Sequence, residues 1–160
     1  MGLTPISIEK YKEFAIQQFR KNGKDIKEEV VEAVYHRFGG ITQCLQRVMN
    51  VLFLFTAKGQ SCEICMVDEA INYLLNMLSD NFETQLSQLP ERQRNVFRAI
   101  AQEKNAKGVL SSAFIQKYHL QSSSSVSSAL KALLEKDLVT QENGIYSVYD
   151  QFFALWMLMK

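Results

Sequence analysis

The cysteine pair Cys62 and Cys65 is the first feature of the sequence that suggests chemistry. The two lie in the order CEIC, and this spacing lets two thiolates bind one zinc ion or form a disulfide. The remaining zinc ligands are poor, because Cys44 falls inside a predicted helix and His36 and His119 are distant in sequence. We therefore expect no metal site, and we expect Cys44 to be a small core residue.

Catalytic and nucleotide-binding motifs are not recognisable in the sequence. His36 and His119 are single histidines, and such residues more often lie at surfaces or in turns than in catalytic arrangements. There is no GxxxxGKS/T phosphate loop, and the glycines fall at predicted helix ends and turns. We expect a chain that is not an enzyme, has no catalytic residue and binds no cofactor of its own.

A third candidate is the segment SSSSVSSALKALLEKDLV, in which serines lead into a helix with leucine spacing. A helical period of 3.6 that turns Val126, Leu130 and Leu133 inward leaves a polar face outward. This face, the turn before it and a following hairpin supply the residues of a possible DNA contact: Gln121, Ser124, Ser127, Ser128, Lys131 and Asn143.

The composition of this face leaves two kinds of partner open. Serine hydroxyls fit close to phosphates and bond to base edges, but specific readers usually add Arg, Asn or Gln for bidentate contacts. Lys131 is the one lysine of the face and Glu135 follows it, with Lys107 and Lys117 as further candidates for phosphate contact. The partner is therefore either double-stranded DNA or a protein.

Charge and composition narrow the class of protein. The 160 residues carry a formal net charge of +1, with nine Lys and Arg against eleven Asp and Glu in residues 1–89 and nine against six in residues 90–160. The second half is thus the better candidate for nucleic-acid contact. An odd count of three cysteines and no recognisable leader favour a cytoplasmic location. The longest apolar runs are shorter than the roughly 20 residues that cross a bilayer, so no membrane partner is expected.

Helical periodicity dominates the first half of the chain. Ser7 is a candidate cap for a helix beginning at Ile8, and Asp25 with Glu28 forms a capping-box signal for a second helix. Residues 1–88 are predicted to form an all-helical bundle. Three further helices are expected in it, at Ile41–Ala57, from Val67 to Leu78 and around Phe82–Leu86.

The second half has the order of elements of a winged helix-turn-helix. Pro90 marks the boundary, because it suits a helix start and disfavours helix in the residue before it. A helix, a short helix and a longer helix capped by Ser122 come next, and Asn143-Gly144 suits a type I′ hairpin. Asp150 can cap a final, almost wholly apolar helix. Residues 89–160 are predicted to form this domain, and the fold class is mainly α.

Several fragments, in this order along the chain, resemble one family. They are PISIEKYKEFAIQQF, VYHRFGGITQCLQRV, LPERQRNVFRAIA, SSSSVSSALKALLEKDLV and YSVYDQFFALWM. They are similar to the C-terminal region of the archaeal-type P-loop ATPases of archaea and bacteria, which are related to AAA+ initiators and STAND ATPases. The resemblance implies a helical lid followed by a winged helix, and a parent protein whose separate N-terminal domain binds ATP and Mg.

The resemblance implies a function and leaves one alternative. The chain would be a non-catalytic C-terminal fragment that begins where the lid begins, with a winged helix that contacts DNA or protein. A lid arginine for the nucleotide phosphates is not expected, because Thr42 and Gln43 follow the Gly39-Gly40 turn and Arg47 comes more than a turn later. The alternative is a free-standing winged-helix transcriptional regulator that binds DNA and dimerises through its helical half.

Overall fold

The computed structural model describes residues 6–159 and divides into two compact units, with the division between Met77 and Leu78. The sequence led us to expect that the chain is a fragment that begins at Met1, and this residue lies outside the described range. The N-terminal unit contains α1 (Ile8–Lys21), β1 (Asp25–Ile26), α2 (Glu28–Arg37), α3 (Thr42–Phe55), β2 (Ser61–Cys62) and the first part of α4 (Met66–Ser87). The C-terminal unit contains the rest of α4, then α5 (Glu91–Glu103), α6 (Ser112–Lys117), α7 (Ser123–Glu135), β3 (Val139–Glu142), β4 (Ile145–Val148) and α8 (Gln151–Leu158).

Helix α4 is one continuous helix of 22 residues, and the prediction of two separate helices in this segment is wrong. The polar residues between the two predicted helices include no Gly or Pro, so nothing in the backbone ends the helix there. The apolar stripe also continues through Leu75, Phe82 and Leu86, which are all buried. The domain limits expected from the sequence, 1–88 and 89–160, stay predictions.

A short parallel pairing in the N-terminal unit replaces the predicted capping box. Asp25 pairs with Ser61 and Ile26 with Cys62. Helix α2 instead has Lys27 at its cap position without a side-chain capping bond. The pairing forms because Ile26 and Cys62 bury their side chains, at 3% and 0% exposure, and the strand bonds satisfy the backbone beside them.

The core of the N-terminal unit is built from the inward faces of α1 to α4. Cys44 is buried, as the sequence predicted, and Arg47 is exposed. The Tyr35 hydroxyl donates a hydrogen bond to the Ile6 carbonyl at 2.6 Å. The fully buried positions of α2 and α3 are Val30, Val31, Val34, Leu45, Val48 and Leu52.

The C-terminal unit is a winged helix, as the sequence predicted. Strands β3 and β4 pair antiparallel, and both tip residues have left-handed backbone, with φ of 53° at Asn143 and 75° at Gly144. This conformation is that of a type I′ turn. Ala106, in the loop after α5, adds an antiparallel bridge to Tyr146 through N–H to O bonds of 2.7 and 2.9 Å.

Helix α8 closes the C-terminal unit through an aromatic cluster formed by Phe82, Phe97, Phe153 and Trp156. The ring of Phe153 stacks on Phe82 at 4.5 Å and meets Phe97 edge-on at 5.1 Å. The Asp150 carboxylate caps α8 as predicted, accepting hydrogen bonds from two backbone N–H groups. The apolar final helix is thus covered within its own unit. Among the described helices, none has both the length and the apolar character that crossing a bilayer requires.

Candidate functional site

Helix α7 presents the predicted serine face to solvent. Its core side is fixed by Val126, Ala129, Leu130 and Leu133, which are at most 3% exposed. The packing of this side sets the rotation of the helix, so the opposite side points outward. The serine face is defined here as the exposed residues Ser124, Ser127, Ser128 and Lys131, all of which the sequence predicted.

The start of α7 is held by hydroxyl groups. Ser122 has extended backbone, and its hydroxyl accepts a hydrogen bond from the Ser125 N–H at 3.2 Å, as the predicted cap requires. The hydroxyls of Ser122 and Ser124 lie 3.2 Å apart, within hydrogen-bond distance. Part of the serine-rich segment therefore stabilises the helix start.

A groove between α5 and α7 brings three of the predicted residues together. Gln121, Ser124 and Ser128 line it with Arg92 and Gln93 of α5, and its volume is ≈ 580 Å³. We call this the α5–α7 groove. Sequence reasoning missed the two α5 residues, although a signal was available, since they lie in the first turn of a helix that has to pack against α7.

A second groove lies between α6 and the start of α7, with a volume of ≈ 600 Å³. His119 in its wall is exposed and has left-handed backbone at φ 55°, so it occupies the turn as the sequence predicted. Gln121 lines this groove as well as the α5–α7 groove. Lysine and arginine are missing from its described lining, which offers serine hydroxyls, glutamine amides and the imidazole of His119.

The expected contribution of Lys117 to DNA contact is weakened by an ion pair. Its ammonium group lies 2.7 Å from a carboxylate oxygen of Glu103, which also accepts a hydrogen bond from the Tyr118 hydroxyl. The hydrogen bond to Glu103 raises the pKa of Lys117, and the bonds from Lys117 and then Tyr118 lower the pKa of Glu103. Both groups stay charged near neutral pH, so their charges offset each other.

The hairpin, or wing, holds Asn143 apart from the other predicted residues. Asn143 is exposed at the tip between β3 and β4, next to exposed Glu142, and it lines neither groove. Ala106 pairs with Tyr146 on the outer side of β4, and the exposed Lys107 follows Ala106 directly in sequence. The wing and the residue beside it therefore offer two exposed side-chain amides, those of Gln141 and Asn143, and charges of both signs.

The cysteine pair forms no metal centre with other described residues. Cys62 is buried and Cys65 is exposed. Burial raises the pKa of the Cys62 thiol, which favours the protonated form over the thiolate that binds metals. Within residues 6–159, no group of three or more His, Cys, Asp and Glu side chains is placed to hold an ion.

Three helices followed by a two-stranded wing define a winged-helix domain. Residues 80–159 match the sequence model of the family described as "Probable winged helix domain", and the chain belongs to this family. No curated protein matches the chain.

One solved structure is similar over both units. It is the Walker-type ATPase PABY2304 of Pyrococcus abyssi, at 18% identity and a TM-score of 0.69. The likeness covers 96% of this chain and 42% of that ATPase, so the chain spans less than half the length of its structural neighbour. At this identity the likeness is one of fold.

Proposed function

We propose that the chain is the lid and winged-helix part of a P-loop ATPase and acts as a non-catalytic recognition arm. The observation that carries this proposal is the likeness to a Walker-type ATPase over 96% of the chain. The likeness therefore includes both the helical N-terminal unit and the winged helix that follows it. If the chain were a free-standing regulator, only its winged helix would be expected to resemble a known fold. The separate nucleotide-binding domain would hold ATP and Mg, and it would be this chain's partner.

The arm would work as a rigid-body switch. Nucleotide state in the separate domain would favour one position of the helical unit, and that unit would carry the winged helix between two positions. This chain's own residues supply the moving recognition surface. In this proposal, hydrolysis belongs to the separate nucleotide-binding domain.

A protein surface is the proposed main partner of the serine face, with duplex DNA as a weak one. Lys131 is the one basic residue of the face, Arg92 lies in the α5–α7 groove beside Glu91, and Lys117 is paired with Glu103. DNA binders gain most of their affinity by neutralising phosphates. A face with so little net charge gains little in that way, whereas its hydroxyls and amides suit the polar groups of a protein.

A gene map tests the ATPase proposal directly. We expect the reading frame of the parent gene to continue upstream into a strand, a Walker A motif and a helix, in frame with residue 1. A start codon at Met1, with ribosome-binding signals before it and no such motif upstream, would contradict the proposal. That outcome would favour the free-standing regulator whose helical half dimerises.

Titration of duplex DNA tests the weak electrostatic contact. We expect the chain to bind mixed-sequence duplexes no better than the roughly 10⁻⁴ to 10⁻⁶ M of non-specific contact at physiological salt. Lys131→Ala should lower this affinity for all sequences alike and flatten the salt slope by about one. The measurement is fluorescence anisotropy with labelled duplexes at two salt concentrations.

Lys117→Ala is the matched control for this titration. It removes the same charge from the same unit, but from a lysine already bonded to Glu103, so the salt slope should change much less. Ser128→Ala should also change little. Nanomolar, sequence-selective binding would show that the serine face reads bases, and equal effects of the two lysine variants would show that Lys131 makes no special contact.

A further inference from the structure

A small cavity lies in the C-terminal unit, away from the serine face and the α5–α7 groove. It opens between the last turns of α4, the middle of α5 and the end of α8, with a volume of ≈ 240 Å³. None of its lining residues belongs to the serine face or to the α5–α7 groove. We call it the Arg94/Arg98 pocket, and it is lined by Glu83, Leu86, Ser87, Arg94, Arg98, Trp156 and Met157.

Two arginines dominate the charge of this pocket. Arg94 and Arg98 are four residues apart on α5, so their side chains leave the helix on the same side. Arg94 is partly buried and Arg98 is exposed. Within residues 6–159, neither guanidinium has a carboxylate at ion-pair distance. Like charges at this spacing repel each other, and an anion bound between them would remove that repulsion.

We propose that the Arg94/Arg98 pocket binds a phosphoryl group. Guanidinium groups are planar forks of N–H donors that match phosphate oxygens in pairs. The Ser87 hydroxyl already donates a hydrogen bond to the Thr84 carbonyl at 2.8 Å, so the two arginines supply the hydrogen-bond donors for a phosphoryl group. At ≈ 30 Å³ for each water, the volume corresponds to about eight waters, enough for a phosphoryl group and the first atoms attached to it.

The other walls of the pocket set its strength and selectivity. Trp156 and Met157 are 5% and 9% exposed and form an apolar wall. Beside such a wall water is partly excluded, and charge attraction is stronger than in bulk water. Glu83 is the one acidic residue of the described lining, and it reduces the charge of the two arginines to a net +1. Removing its charge should therefore strengthen the binding of an anion.

Tryptophan fluorescence provides the test, because Trp156 is the one tryptophan of the chain and lines the pocket. The full chain is titrated with inorganic phosphate and, separately, with O-phosphoserine, at an ionic strength held constant with sodium chloride. We expect a saturable change with at least one of the two ligands. Arg98→Gln and Arg94→Gln should each weaken binding by about tenfold, the loss of one charge-assisted hydrogen bond.

Two further variants make the test specific. Arg92→Gln removes a charge from the same helix but from the α5–α7 groove, so the affinity should not change. Glu83→Gln should tighten binding. Tighter binding of O-phosphoserine than of phosphate would identify a phosphorylated side chain as the ligand, and equal binding would identify free phosphate.

Three results would overturn the proposal: no saturable change across the millimolar range, an equal loss in Arg92→Gln, or weaker binding in Glu83→Gln. Circular dichroism melts of every variant establish that the fold is kept. Arg98 is exposed, so its substitution leaves the core intact and provides a folded variant.

Discussion

Replacing Trp156 with alanine is expected to lower the melting temperature by more than about 10 °C, or to leave a protein that aggregates. The side chain is 5% exposed, and its ring lies 5.8 Å from the ring of Phe82 and 5.9 Å from that of Phe153. Its indole N–H also donates a hydrogen bond to the Ser79 hydroxyl at 2.9 Å. Truncating such a residue costs about 3 to 5 kcal/mol, a large part of the stability of a small domain.

Thermal melting followed by far-ultraviolet circular dichroism measures this effect, with size-exclusion chromatography for the association state. Leu158→Ala is the matched control, since Leu158 lies in the same helix at 44% exposure and its loss should cost within about 0.5 kcal/mol. Trp156→Phe keeps most of the apolar area and loses the hydrogen bond, so its effect should be intermediate. If Trp156→Ala keeps the melting temperature of the original protein, α8 is an unpacked tail.

The winged helix was largely predictable because its signals are local. The Ser122 and Asp150 caps, the Pro90 helix start and the Asn143-Gly144 turn each depend on residues a few positions apart. Such signals act through backbone conformation and nearby hydrogen bonds, which a sequence displays directly. The burial of the final helix also followed from its composition, since an almost wholly apolar helix has to be covered.

Features of the fold that depend on distant residues were not predictable. The pairing of Ile26 with Cys62 joins positions that are 36 apart, and neither two-residue strand has a recognisable alternating pattern. The continuity of α4 was also missed, because Ser79 and Asp80 resemble a break until Trp156 and the buried Phe82 support that turn. In both places the local structure is stabilised by tertiary contacts that the sequence does not display.

In the candidate site, too, local features were predictable and features that depend on distant residues were not. The outward face of α7 followed from helical periodicity, and each predicted residue is exposed. The groove that Arg92 shares with Ser124 was missed although the position of Arg92 in the first turn of α5 was a signal for it, and the pairing of Glu103 with Lys117 left no signal in the sequence. These two contacts set the charge of the surface, which decides between DNA and protein as the partner. Which of the two the site binds stays a prediction.

Replacing Leu133 with alanine is expected to destabilise the protein by about 2 to 5 kcal/mol. Leu133 lies on the core side of α7 at 0% exposure, and its carbonyl accepts the hydrogen bond from the Leu138 N–H at 3.0 Å that turns the chain toward the wing. A cavity at this position removes the packing that sets the rotation of α7. The serine face and the start of the wing should therefore lose their fixed positions together.

Urea unfolding measures the loss in free energy, and hydrogen exchange at the backbone amides of α7 and β3 measures the loss of order. Ser127→Ala is the control, because it removes only a hydroxyl group from the exposed face of the same helix and should change stability by no more than about 0.5 kcal/mol. Faster exchange in both elements with Leu133→Ala, and in neither with Ser127→Ala, is the expected result. Unchanged exchange in β3 would show that the wing holds its position through Ala106 and Tyr146, independently of α7.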